Sequence, residues 1–203
     1  REGIDQAIFF GWSMGVQVIL EYAGRHPEKV RALVPVNGAY GYIFDTAFDW
    51  SLSKYVMPMV NYVAMKTGRV FEPLTSFAVD QPSLFALIKR TGMVSQAARE
   101  DVFMEVARGF KHLDFSVYFR IMDFLSKHSA EEHLSKIGCP ALIVAGDRDL
   151  LTPLKVSEEM ARRIGDAELF VIPTGTHYTP VEFPEFINLK VEKFLRDRAL
   201  LPG

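Results

Sequence analysis

The sequence is poor in several features that would announce a function class. Cys139 is the only cysteine in 203 residues, so no internal disulfide can form. A lone thiol fits a reducing compartment, and a cytoplasmic location is the expectation. Basic residues are not in excess: Lys and Arg total 23 against 25 Asp and Glu, a formal net charge of -2. That balance offers nothing to neutralise a phosphate backbone, and no nucleic-acid partner is expected. No apolar run reaches the roughly 18 residues of a membrane span. The richest, Tyr55 to Met65, is interrupted by Pro58 and Asn61, so no membrane span is expected either. Neither G-x-G-x-x-G nor a Walker pattern occurs, and there is no H-E-x-x-H. His128-Ser-Ala-Glu-Glu-His133 has the wrong spacing for a metal and reads as a solvated helix end. No metal and no cofactor are expected. What the chain has is apolar content: 49% hydrophobic and 12% aromatic residues. That is too much for a disordered chain and enough for a real core.

Ala7 to Phe10 is a short apolar run closed by Gly11, as in a strand buried on both faces of a parallel sheet. Gly15 to Arg25 places Val16, Ile19, Leu20 and Ala23 at helical spacing before His26-Pro27. Val30 to Val36 is a second strand, closed by the turn Asn37-Gly38. Strand, helix and strand in about 30 residues make a βαβ unit. From about 41 to 136 the alternation stops. This stretch holds helical patterns broken by Pro58, Pro73, Pro82 and Gly92, with helix starts near Asp80 to Pro82 and at Ser95. Leu113, Val117, Ile121 and Leu125 mark one amphipathic helix. Ten of the 16 Phe and six of the eight Met fall in this stretch. The alternation then returns with a strand at Ala141 to Ala145. A helix follows, with Thr152 as N-cap and Pro153 at its first position. A strand from Leu169 to Ile172 and a helix from Pro184 to Arg198 complete the chain. The order argues an α/β fold with helices on both faces of a parallel sheet. Its organisation is core at 1–40, a helical insertion at 41–136, and core again at 137–203.

Three loops follow strand ends, where open parallel sheets place their sites. The first contains Gly11-Trp12-Ser13-Met14-Gly15, a G-x-S-x-G pattern between strand and helix. Both glycines relieve a tight turn there and the serine hydroxyl is raised above the sheet edge. The N–H of Met14 starts the helix, where it can meet a developing oxyanion. The side chain of Trp12 is a packing or pocket-wall residue. A serine needs a base, and the base an orienter. The second loop offers Asp147 and Asp149, the third His177. Cys139, just ahead of a strand, reads as a buried thiol.

Ser, Asp, His is the chain order of the α/β-hydrolases, and the sequence resembles that superfamily from its nucleophile elbow onward. Gly11-Trp-Ser-Met-Gly-Val16 resembles the elbow of bacterial members. Cys139-Pro-Ala-Leu-Ile-Val-Ala-Gly-Asp-Arg-Asp149 resembles the family's acid-bearing strand and loop. The family places its acid three residues after the glycine, which favours Asp149 over Asp147. Gly175-Thr-His177 with Glu182-Phe-Pro184 resembles the histidine loop and final helix, with a Gly-Thr-His spelling in place of the commoner Gly-His. Residues 41–136 stand where the family carries a helical cap.

The resemblance implies a serine hydrolase that needs no cofactor. Its catalytic residues would be Ser13, Asp149 and His177, with Met14 N–H as oxyanion donor and Trp12 in the pocket. The Phe and Met of the insertion suit a small apolar acyl or aromatic substrate, with an ester, thioester or C–C bond cleaved. Perhydrolase chemistry occurs on the same fold, and so do non-catalytic receptors. The chain opens on Arg1, only a few residues ahead of its elbow strand. The family's earlier strands and its second oxyanion loop have no counterpart in it. The expectation is therefore the C-terminal part of a longer protein, in which a fragment alone could be inactive and Ala7 to Phe10 would form a bare sheet edge.

Overall fold

The computed structural model describes residues 3–81 and 83–201. In chain order these form β1 (Ala7–Trp12), α1 (Met14–Arg25), β2 (Val30–Val36), α2 (Ile43–Thr46), α3 (Ser53–Val79), α4 (Leu84–Thr91), α5 (Glu100–Gly109), α6 (Phe115–Lys127) and α7 (Glu131–Leu134). After these come β3 (Ala141–Gly146), α8 (Leu154–Arg163), β4 (Ala167–Ile172), α9 (Thr179–Glu182) and α10 (Pro184–Asp197). The four strands make one sheet in the order β1-β2-β3-β4. Every pairing is parallel; Phe10 lies beside Val34, and Val36 beside Val144.

Alternation along β2 sends its side chains into two different cores. Leu33 packs with Val16, Ile19 and Leu20 of α1 and Met160 of α8 on one face. Val34 and Val36 pack with Ile187, Phe194 and Leu195 of α10 on the other. Leu20 and Leu33 are fully buried, each contributing roughly 1.5–3 kcal/mol relative to an exposed side chain. β3, with neighbours on both sides, is buried along its whole length. β1 is the bare edge of the sheet, and its apolar run is not buried on both faces. It is paired with β2 alone in the described sheet, and Phe10 is exposed.

The helical stretch differs from its sequence pattern in three places. Pro58 and Pro73 do not break α3, which runs 27 residues through both. Each proline removes one ladder bond and costs about 3 kcal/mol, and packing against α6 offsets that. Across this contact Asn61 Nδ2 donates to the carbonyl of Phe119 at 3.0 Å. Asp80 is the C-cap of α3 rather than a helix start, and Pro82 lies outside the described residues. Ser95 begins no helix; α5 starts at Glu100. The Ser95 backbone N–H instead donates to the buried carboxylate of Glu182 at 2.6 Å. Gly92 does close α4, in the left-handed conformation with φ 76°. Phe85, Phe103, Met104 and Val181 form a third core that seats α4 and α5 on the segment after β4.

His128 and His133 are not a solvated helix end. His128 pairs with Gln17 Oε1 at 3.0 Å and Glu21 Oε2 at 3.1 Å. The His133 ring lies where a Cβ on Gly24 would stand, 2.2 Å from its nearest atom. The two histidines therefore dock this segment on α1. Among the described residues, no helix is long and apolar enough to cross a membrane.

Candidate active site

The ends of all four strands contribute to one site. β1 turns into α1 through Ser13, whose backbone sits at φ 54°, ψ -117°. A non-glycine residue there is strained by roughly 1–3 kcal/mol. Two features hold it. Ser13 N–H donates to the carbonyl of Val36 at 3.0 Å, and Gly11 and Gly38 let the chain close around it. A Cβ on Gly11 would lie 2.5 Å from the carbonyl oxygen of Gly15. A Cβ on Gly38 would lie 2.5 Å from that of Ser13 and 2.3 Å from a methyl of Val16. Gly15, whose spacing suggested the same need, has open space at its Cβ position. The crowding is between elbow and β2, so Gly38 takes the part expected of Gly15. Gly38→Ala should therefore lower stability by about 1–3 kcal/mol through overpacking. Gly15→Ala should be neutral or raise it by up to about 1 kcal/mol through helix propensity. Denaturant midpoints of the two variants test this, and equal losses would contradict it.

His177 Nε2 stands 2.8 Å from Ser13 Oγ, and His177 Nδ1 stands 2.9 Å from Asp149 Oδ2. A carboxylate only accepts, so Nδ1 carries the proton and Nε2 is free to accept from the serine hydroxyl. Asp149 is 4% exposed and fully engaged. Leu151 N–H and Thr152 N–H both donate to its Oδ1 at 2.8 Å, and the Thr152 hydroxyl donates to Oδ2 at 2.7 Å. Burial pushes this carboxyl up. The hydrogen bond and charge of His177, with the Thr152 donors, outweigh burial and hold it below the usual carboxylate range. Asp147, two residues earlier, is exposed. Thr152 is thus not the N-cap of α8, a position that Pro153 occupies; its hydroxyl is spent on Asp149.

Three further residues build the frame, and none of these roles was read from the sequence. Asn37, 1% exposed, ends β2 with φ 42°. Its Nδ2 donates at 3.0 Å both to Asp149 Oδ2 and to the carbonyl of Thr176, and its Oδ1 accepts from the Thr179 hydroxyl. One amide thereby joins the acid loop to the histidine loop. Glu182 accepts from Thr176 N–H at 2.8 Å and from the Thr176 hydroxyl at 2.6 Å, besides Ser95 N–H, and so pins the same loop to the helical segment. Trp12 Nε1 donates to the carbonyl of His177 at 3.0 Å. A turn-forming Asn-Gly pair was visible at 37–38, but nothing in that spelling points to a distant aspartate.

A cavity of about 420 Å³ opens over Ser13. Trp12 and Met14 form part of its wall, as do Phe44, Phe119 and Met122 from the helical segment. Met14 begins α1, where the first N–H groups have no partner within the helix. Cys139 is half-buried at the rim of the core, away from this cavity's lining, and burial pushes its thiol up.

The sequence profile of the alpha/beta hydrolase fold family matches residues 2–184. The chain belongs to the alpha/beta hydrolase family. Within the family it is 28% identical over 199 residues to the protein named "Putative carbamate hydrolase RutD" of Caulobacter sp. (strain K31), covering 97% of this chain and 68% of that one. It is 25% identical over 169 residues to the pimeloyl-[acyl-carrier protein] methyl ester esterase of Chromobacterium violaceum, covering 82% and 61%. The chain thus spans about two thirds of the length of these two relatives. Among solved structures, MenH from S. aureus superposes with a TM-score of 0.72 at 16% identity, over 96% of this chain and 69% of that one. That likeness is one of fold.

Proposed function

We propose that this alpha/beta hydrolase cleaves an ester, or a related acyl bond, of a small apolar substrate through an acyl-enzyme formed on Ser13. The observation that carries the reading is the unbroken chain of contacts from Ser13 Oγ and His177, both in the wall of an apolar cavity, to the buried Asp149 behind them. His177 takes the serine proton as Oγ attacks the carbonyl carbon, then delivers it to the leaving alkoxide. A water next loses its proton to His177 and attacks the acyl carbon. The acid departs, and the proton returns to Ser13. Asp149 holds the Nδ1–H tautomer and balances the imidazolium. The Met14 N–H, at a helix N-terminus, donates to the tetrahedral oxyanion. Residues 41–136 act as a cap whose Phe and Met side chains shape the acyl pocket. The esterase and carbamate hydrolase names of the relatives support acyl chemistry in general, without fixing the substrate.

An alkyl fluorophosphonate tests the reading directly. The folded protein should be labelled at Ser13, and Ser13→Ala should abolish the label. An unlabelled but correctly folded protein would instead favour a ligand-binding member of the fold.

A further inference from the structure

The cavity over Ser13 is apolar but not featureless. Among its described lining residues there is no Lys, Arg, Asp or Glu. Most of its polar side chains are already engaged. Gln17 donates to the carbonyl of Leu125 and accepts from His128. The Thr152 hydroxyl is spent on Asp149, and Ser13 and His177 face each other. Tyr118 and Tyr178 bring phenol hydroxyls, which donate or accept alike and so select neither kind of group. Asn61 is different. It is 5% exposed, lines the cavity from α3, and uses its Nδ2 on the Phe119 carbonyl. With the amide oriented by that bond, Oδ1 is left with no hydrogen-bond partner among the described residues. Oδ1 is not one of the sealed-off unpaired atoms of the described residues, so it keeps accessible surface and can take a hydrogen bond from a donor atom of a ligand.

We infer that Asn61 Oδ1 is the specificity anchor of the pocket, selecting esters whose apolar portion carries an uncharged hydrogen-bond donor, a hydroxyl or an amide N–H. An amide oxygen accepts only, which turns away ether, ketone and bare alkyl groups at that point. A carboxylate would meet an acceptor in a cavity whose described lining brings no cation. An ammonium would be desolvated with no counter-charge there. The inference rests on the Ser13 hydrolase reading for the bond that is cleaved, but the recognition it describes concerns binding alone.

The test uses p-nitrophenyl esters of straight-chain acids with three to eight carbons. Each length is made with a terminal methyl, hydroxyl, carboxamide, carboxylate or ammonium group. At one chain length the hydroxyl or carboxamide ester should exceed its methyl counterpart about fivefold in kcat/KM, the scale of one neutral hydrogen bond. Carboxylate and ammonium esters should fall below both. Asn61→Leu should bring the hydroxyl-to-methyl ratio to about one. A purely structural role at the α3–α6 contact would lower all the esters together and leave that ratio unmoved. Asn61→Asp should move the preference toward the ammonium ester.

Dissociation constants of the same esters for Ser13→Ala protein, measured by calorimetry, give the ratio without turnover. A flat ratio at every length, or a preference for the carboxylate, overturns the anchor even in an active enzyme. A preserved hydroxyl preference in a protein that hydrolyses nothing overturns the hydrolase reading and leaves the anchor standing.

Discussion

Ser13→Ala and His177→Ala are each expected to lower kcat/KM by about 10⁴–10⁶-fold, and the double variant little further. The reason is the single proton path between the two groups. Ser13 Oγ lies 2.8 Å from His177 Nε2, so without the imidazole the hydroxyl has no acceptor when it attacks. Without the hydroxyl, the imidazole has nothing to activate. Each deletion disables the same step, and the second deletion finds little left to remove. What survives is rate supplied by binding and by the Met14 amide alone. Steady-state kinetics on one activated ester, with circular dichroism to establish folding, reads all three variants. Near-additive losses would show the two side chains acting independently, against the role proposed for them.

The second large effect concerns the acid. Asp149→Asn should reduce kcat by about 10⁴-fold with a smaller change in KM. Asparagine keeps the shape, but its amide can donate toward Nδ1 and so favours the tautomer that leaves Nε2 protonated and unable to accept from Ser13. Loss of the carboxylate also removes the counter-charge of the imidazolium, so the acid limb of the rate profile should move to lower pH. Stability should respond as well. The Asp149 carboxyl is held below its ordinary range. Its stabilisation is therefore complete above the usual carboxylate range and is lost as pH falls through the lowered native value. The wild-type denaturation midpoint should fall through that acid window more steeply than that of Asp149→Asn.

Asn37 supplies an internal control on the same pair. Asn37→Ala removes one donor from Asp149 Oδ2, the donor to the Thr176 carbonyl and the acceptor of the Thr179 hydroxyl. A loss of about 10–100-fold in kcat is expected from imprecise positioning. Asn37→Asp places a second negative charge beside Asp149, which favours the imidazolium, and should move the acid limb to higher pH. A variant that merely loosens the fold would not produce these opposite shifts from Asp149→Asn and Asn37→Asp.

Much of the fold could be read along the chain because its signals are local. A continuous apolar run such as Ala141 to Ala145 needs burial on both faces and is a strand in any arrangement that supplies it. The pattern Val16, Ile19, Leu20, Ala23 states a helix and its buried side in the same eight residues. The reading failed where an intrinsic preference met a stronger tertiary contact. Pro58 and Pro73 announce breaks, yet α3 packs on α6 and continues through both. Ser95 and Thr152 are good caps, but their polar groups go to Glu182 and Asp149 instead. His128 and His133 read as solvated because their partner, Glu21, is more than 100 residues away in sequence.

The candidate site divides the same way. Ser13, Asp149 and His177 were identifiable because a strand-to-loop junction and a short spelling mark each one. Their convergence into contacts of 2.8 and 2.9 Å is a property of parallel strands. Such strands deliver every C-terminal loop to one edge, whatever lies between them in sequence. Linear order therefore determined the family, the layering of the sheet and the choice of candidate residues for the site. Only the tertiary structure decided that Gly38 rather than Gly15 is the glycine crowded against the elbow, that Asn37 and Glu182 brace the histidine loop, and that Asn61 lines the cavity while its Nδ2 bonds the Phe119 carbonyl. Each of these depends on atoms brought together across the fold, and the hydrogen bonds and close contacts involved leave no periodicity in the chain that could announce them.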